Sequence, residues 1–105
     1  MISLRRYELL LPLKFNDGKP IPDVLVEKTI SELEARFTAV SWETQTIRGR
    51  WQQEGVAYED VLTRVFVDVP DTQANRTFFV KFKSQLKKRY EQLDIWITSH
   101  PLDVI

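Results

Sequence analysis

The sequence predicts an α+β plait of order βαββαβ, a four-stranded antiparallel sheet with two helices on one face. Three observations carry this reading. Apolar side chains alternate with period two near the start, in the middle and near the end of the chain. Two stretches instead repeat apolar residues at helical spacing. A glycine turn joins the two middle extended runs. The chain has 105 residues, which suits one domain over 1–105 with a short C-terminal tail at 100–105.

The first strand spans Arg5 to Phe15. Tyr7, Leu9, Leu11, Leu13 and Phe15 fall on one face, Glu8, Leu10, Pro12 and Lys14 on the other. Pro12 has no N–H, so the strand is irregular there or unpaired on that side. Asn16 to Pro20 is a turn cluster in which Gly18 supplies positive φ. A helix follows over Pro22 to Phe37, with Val26, Ile30, Leu33 and Phe37 as its apolar stripe and Asp23 at its positive end. Ser41 to Gln53 reads as the second strand, Glu54-Gly55 as a turn, and Val56 to Val69 as a long third strand. The second helix runs from Gln73 to Gln92, with Phe79, Phe82, Leu86 and Tyr90 repeating along it. The last strand is Leu93 to Ser99, and a tail from His100 to Ile105 follows. Right-handed crossovers place both helices on one side of the sheet, with strand order 4-1-3-2. This is the ferredoxin-like plait.

Composition narrows the function. Hydrophobic residues make up 43% and charged residues 29%, which is ordinary for a globular chain. Fifteen basic residues balance fifteen acidic ones, so a strongly basic nucleic-acid binder is not the default. With no cysteine and only His100 as histidine, thiolate nucleophiles, Cys-based zinc sites and multi-histidine metal sites are excluded. No metal or cofactor is expected. The apolar run Leu9 to Leu13 is short and broken by Pro12. A signal peptide needs about 7–15 apolar residues and a membrane span about 20. A cytoplasmic protein without a membrane partner is expected.

The uncovered face of the sheet is the informative one. If the valine and leucine sets face the helices, Leu10, Tyr58, Leu62, Phe66 and Trp96 point away from them. A cluster of this kind marks an association or ligand surface. Three coverings compete: the apolar tail from Pro101 to Ile105 folding back, a second copy packing sheet to sheet as a homodimer, and a small-molecule cleft.

Arg48, Arg50 and Trp51 lie near Tyr58 and Arg64 across the hairpin. Arginine with aromatic groups can hold a small anionic ligand, though cross-strand ion pairing explains the same residues. The second helix carries a basic patch, Lys81, Lys83, Lys87, Lys88 and Arg89, which suits an acidic protein partner or simply a solvated face. Glu59 and Asp60 are adjacent on a strand and point to opposite faces, so they do not converge on one magnesium ion. The stretch Glu54 to Val61 matches the RNA-recognition pattern only at Gly55 and Tyr58, which argues against sequence-specific RNA binding. No phosphate loop, nucleophile elbow or catalytic triad is present.

Gly49-Arg50-Trp51, Gly55 and Glu59, behind an opening strand, resemble small uncharacterised bacterial ferredoxin-like proteins. That resemblance implies the same plait and assigns no functional residue. Length and topology are also similar to the dimeric α/β-barrel group, which includes cofactor-independent monooxygenases; the acid–base histidine of such enzymes has no counterpart here. The reading therefore favours a binding or regulatory module over an enzyme, one that self-associates through its sheet. A small enzyme with an interface cleft and an accessory protein docking an acidic partner or nucleic acid through the basic helix are the alternatives.

Overall fold

A computed structural model describes residues 2–105 of the chain. It contains β1 (Leu4–Pro12), α1 (Asp23–Phe37), β2 (Ser41–Trp42), β3 (Ile47–Gln53), β4 (Val56–Pro70), α2 (Gln73–Arg89) and β5 (Trp96–Leu102). The strands form one antiparallel sheet in the order β2-β4-β1-β5, with β3 also paired to β4.

The expected strand neighbours are kept, but the sheet has five strands rather than four. The run from Ser41 to Gln53 is interrupted. Trp42 pairs with Val65 and Ile47 pairs with Leu62, so Glu43 to Thr46 stand opposite Thr63 and Arg64 alone. The surplus pair bulges out of the ladder. Because the slip is by two residues, side-chain alternation survives it, and the sequence pattern shows no break. Glu43 seals the interruption. Its N–H donates to the Arg64 carbonyl at 2.9 Å, and its carboxylate accepts from the Arg64 guanidinium at 2.8 Å.

One face of the sheet carries the core. Tyr7, Leu9 and Leu11 of β1 and Val65, Val67 and Val69 of β4 meet Leu33 of α1 and Phe79, Phe82 and Leu86 of α2. Both helices therefore lie on the same side. Each such side chain contributes about 1.5–3 kcal/mol on burial. Tyr7 stacks on Phe79 with ring centroids 4.0 Å apart, and Phe37 stacks on the same ring at 5.6 Å.

The helices are tied by a polar clamp. Thr29 is buried beside the expected stripe of α1, and its hydroxyl lies 2.7 Å from the buried Tyr90 hydroxyl. Both hydroxyls also reach the Leu25 carbonyl, at 2.9 and 3.1 Å. Arg89 donates to Thr29 Oγ1 at 2.9 Å and pairs with Glu32 at 2.6 Å. Burial raises the Tyr90 phenol above its usual pKa.

Two boundaries differ from expectation. The helix α2 ends at Arg89 rather than Gln92, because the Gln92 N–H turns back to the Lys87 carbonyl and Glu91 adopts φ 53°. The last strand then starts at Trp96 and runs to Leu102, leaving Leu93 outside the sheet and exposed. His100 and Leu102 pair with Arg6 and Leu4. Residues 100–102 of the expected tail thus belong to an edge strand and do not fold over the uncovered face.

Candidate functional site: a cleft beyond the end of β1

The site arises from unequal strand lengths. β1 stops at Pro12 opposite Leu62, while β4 continues for six more residues towards its start at Val56. On the other side, β5 begins only at Trp96, opposite Leu10. The Leu13 N–H makes the last ladder bond, to the Val61 carbonyl at 2.8 Å. The chain then leaves the sheet through a loop closed by Phe15 to Lys19 and Ile21 to Leu13 bonds, with Gly18 at φ 86°. The position where Pro12 lacks an N–H falls on the β5 side, where no strand pairs with it. The vacated space is an open cleft of about 660 Å³, within the usual range for a small-molecule site.

Beyond Pro12, β3 and β4 continue as a two-stranded ribbon. The ribbon turns at Glu54 and Gly55, whose φ values of 52° and 78° make a tight turn of the kind that matches strand twist. On one ribbon face Trp51 stacks on Tyr58 at 4.3 Å, and the Trp51 indole N–H donates to Asp60 at 2.8 Å. On the other face Arg50 pairs with Glu59 at 2.9 Å. Glu59 and Asp60 thus lie on opposite faces, as strand alternation dictates.

The cleft collects Leu10, Leu62 and Trp96 from the sheet and Trp51, Tyr58 and Asp60 from the ribbon. Four of the five expected association residues, Leu10, Tyr58, Leu62 and Trp96, therefore gather there. Phe66 does not. Its ring lies under two guanidiniums, Arg6 at 4.4 Å and Arg64 at 4.5 Å. Around it, Arg64 bridges Glu8 at 2.6 Å and Glu43 at 2.8 Å, and Arg6 pairs with Asp68 at 2.7 Å. The centre of the uncovered face is a charged array rather than an apolar patch. The hydrogen bond from Arg64 holds the Glu8 carboxyl below the usual carboxylate range, and the same bond raises Arg64.

The expected anion-binding residues do not converge. Trp51 and Tyr58 line the cleft, Arg48 and Arg50 occupy the opposite ribbon face, and Arg64 is committed to two carboxylates. The basic patch on α2 is also partly spent. Lys83 pairs with Asp94 at 2.9 Å, which lowers the Asp94 pKa, and Arg89 belongs to the interhelical clamp. Lys81 and Lys88 are exposed and Lys87 is half-buried. Sequence reasoning missed Asp94 at the cleft, since nothing in the local pattern reveals which residues border a gap between strands. Among the described residues, no helix is long and apolar enough to cross a membrane.

No family model and no curated protein matches the sequence. Solved structures do match the fold. CutA from Synechococcus elongatus aligns with TM-score 0.62 at 8% identity, covering 97% of this chain and 79% of that one. A phage SAM lyase in complex with S-methyl-5'-thioadenosine aligns with TM-score 0.64 at 12% identity, covering 97% and 90%. CutA1 from Oryza sativa aligns with TM-score 0.60 at 14% identity, covering 98% and 83%. The chain has a ferredoxin-like fold. At these identities the likeness extends to the fold alone.

Proposed function

We propose that the chain is a small binding module that self-associates at the ribbon end of its sheet, with the cleft as its ligand site. The observation that carries this is the contrast between the two outer edges of the sheet. The Leu13 to Val61 bond fixes the ladder phase. Even-numbered residues of β1 therefore bond to β5, and the N–H groups of Ile97 and Ser99 and the position of Pro101 face outwards from β5. Pro101 has no N–H to offer, which blunts that edge against strand addition. The β3 edge has no proline, and its charged side chains, Arg48 and Arg50, stand on one ribbon face. The N–H and C=O groups of Arg48, Arg50 and Gln52 point away from β4 and meet no other strand among the described residues.

An isolated two-stranded ribbon is marginal in water, and this one also exposes aromatic surface. Trp51 is 40% and Tyr58 38% exposed. The ribbon makes the molecule long, 47 × 29 × 25 Å. A second copy adding its own β3 across a two-fold axis would extend both sheets and brace both ribbons. The homodimer expected from the sequence is kept, but its contact moves from the middle of the face to this edge.

The test is Arg50→Pro. Proline at an outward-pointing position removes a backbone bond to a partner strand and no backbone bond within the ribbon; within the ribbon it removes only the exposed Arg50–Glu59 ion pair. Sedimentation equilibrium should show a dimer for the parent chain and a monomer for the variant. A monomeric parent chain, or a variant that stays dimeric, would refute the proposal. The cleft itself favours a second, compatible reading, a small enzyme. Turnover would require a ligand first.

A further inference from the structure

We infer that the cleft takes a flat organic cation rather than the anion that the arginines suggested. This rests on the binding-module reading above and deepens it. Four aromatic side chains, Phe15, Trp51, Tyr58 and Trp96, line the cleft, with Trp96 63% exposed. A flat ligand can stack on such surfaces, and their electron-rich faces attract positive charge.

The charged groups point the same way. Asp60 and Asp94 line the cleft, against Lys14 as its one ammonium among the described residues. Glu59 also borders it, but its carboxylate is held by Arg50 on the far ribbon face. Asp94 is paired with Lys83, whereas Asp60 is bound by the neutral Trp51 indole and forms no ion pair among the described residues. Asp60 Oδ2 takes that indole N–H at 2.8 Å, which leaves Oδ1 as an acceptor beside the stacked rings. A carboxylate without a cation, next to stacked aromatic rings in a cleft of about 660 Å³, is complementary to a flat cation of one or two fused rings. The arginines that would have favoured an anion lie elsewhere: Arg48 and Arg50 face away, and Arg64 is neutralised by Glu8 and Glu43.

The experiment uses three probes of one shape and different charge: N-methylquinolinium, quinoline and 2-naphthoate, near neutral pH. Binding to the parent chain is followed by shifts of the Trp51 and Trp96 indole resonances. N-methylquinolinium should bind about tenfold more tightly than quinoline, equivalent to about 1.4 kcal/mol. 2-Naphthoate should bind most weakly. Asp60→Asn keeps an oxygen for the indole and removes the charge, so it should abolish the advantage of the cation while leaving quinoline affinity unchanged. Equal affinities for cation and neutral probe, tighter binding of naphthoate, an unaltered preference in Asp60→Asn, or no binding of any probe would each overturn the inference. Repeating the titration on the parent chain at a dilution where sedimentation shows only monomer separates it from the dimer proposal, because the cleft belongs to one chain.

Discussion

Two buried tyrosines predict opposite responses to the same substitution. Tyr90 and Tyr7 are 0% and 4% exposed, and each loses only its hydroxyl when changed to phenylalanine. The Tyr90 hydroxyl lies 2.7 Å from Thr29 Oγ1 and 3.1 Å from the Leu25 carbonyl. Its removal leaves no orphan, since Thr29 still donates to Leu25 and still accepts from Arg89. The loss is then one network bond, or two if both contacts are strong, at about 0.5–1.5 kcal/mol each. Tyr90→Phe should destabilise the fold by about 1–2 kcal/mol and lower Tm by about 4–8 °C per kcal/mol. Among the described residues, the buried Tyr7 hydroxyl has no hydrogen-bond partner. A buried polar group left unpaired carries a penalty of about 1–3 kcal/mol. Tyr7→Phe removes that penalty and keeps the ring stacked on Phe79, so it should be neutral or stabilising by about 1 kcal/mol. Urea unfolding followed by circular dichroism at one fixed protein concentration measures both, since self-association would otherwise shift apparent stability. A loss of more than about 1 kcal/mol in Tyr7→Phe, or none in Tyr90→Phe, would show that these hydroxyls are partnered differently.

The other predictions address acid stability, the ribbon turn and the middle of the face. Arg64 depresses the Glu8 carboxyl in the folded chain, so its contribution is present above the unfolded pKa of about 4.3 and disappears as pH falls through the lower folded value. Acid titration of stability should therefore fall below about pH 4, and Glu8→Gln should flatten that fall. Glu54 occupies a left-handed position at φ 52°, where Asn is better tolerated. Glu54→Asn should slow amide exchange at Trp51, whereas Gly55→Ala, at φ 78°, should hasten it and destabilise the ribbon by about 1 kcal/mol. Phe66→Leu removes the ring beneath Arg6 and Arg64 but should leave the oligomeric state unchanged, measured by sedimentation; dissociation would place the contact on the middle of the face instead.

The sequence made most of the fold legible because burial writes itself as periodicity. Leu9, Leu11, Val65 and Val67 alternate and Phe79, Phe82 and Leu86 recur at helical spacing, and all reach the core. What escaped had physical reasons. The interruption between Trp42 and Ile47 is a two-residue slip, which leaves alternation intact. Leu93 keeps the beat of Ile95 and Ile97, yet the turn after α2 leaves it in solvent. Thr29 and Tyr90 find each other across 61 residues, and no local pattern encodes that pairing. The site was half legible. Tyr58, Leu62, Leu10 and Trp96 share one face by alternation, and that much followed from the sequence. The same alternation separates Arg50 from Trp51, so the signal against their joint site was already present. The cleft depends on β1 ending before β4 does, and relative strand length appears only in the assembled sheet.

The most direct test of the account is amide exchange at Arg48, Arg50 and Gln52, read as a function of protein concentration. These three N–H groups lie on the β3 edge assigned to the second copy. The account predicts fast exchange in dilute protein and protection that grows with concentration, while amides of β1 stay protected throughout. Fast exchange of all three at every concentration would mean that the edge stays bare, and would contradict the account.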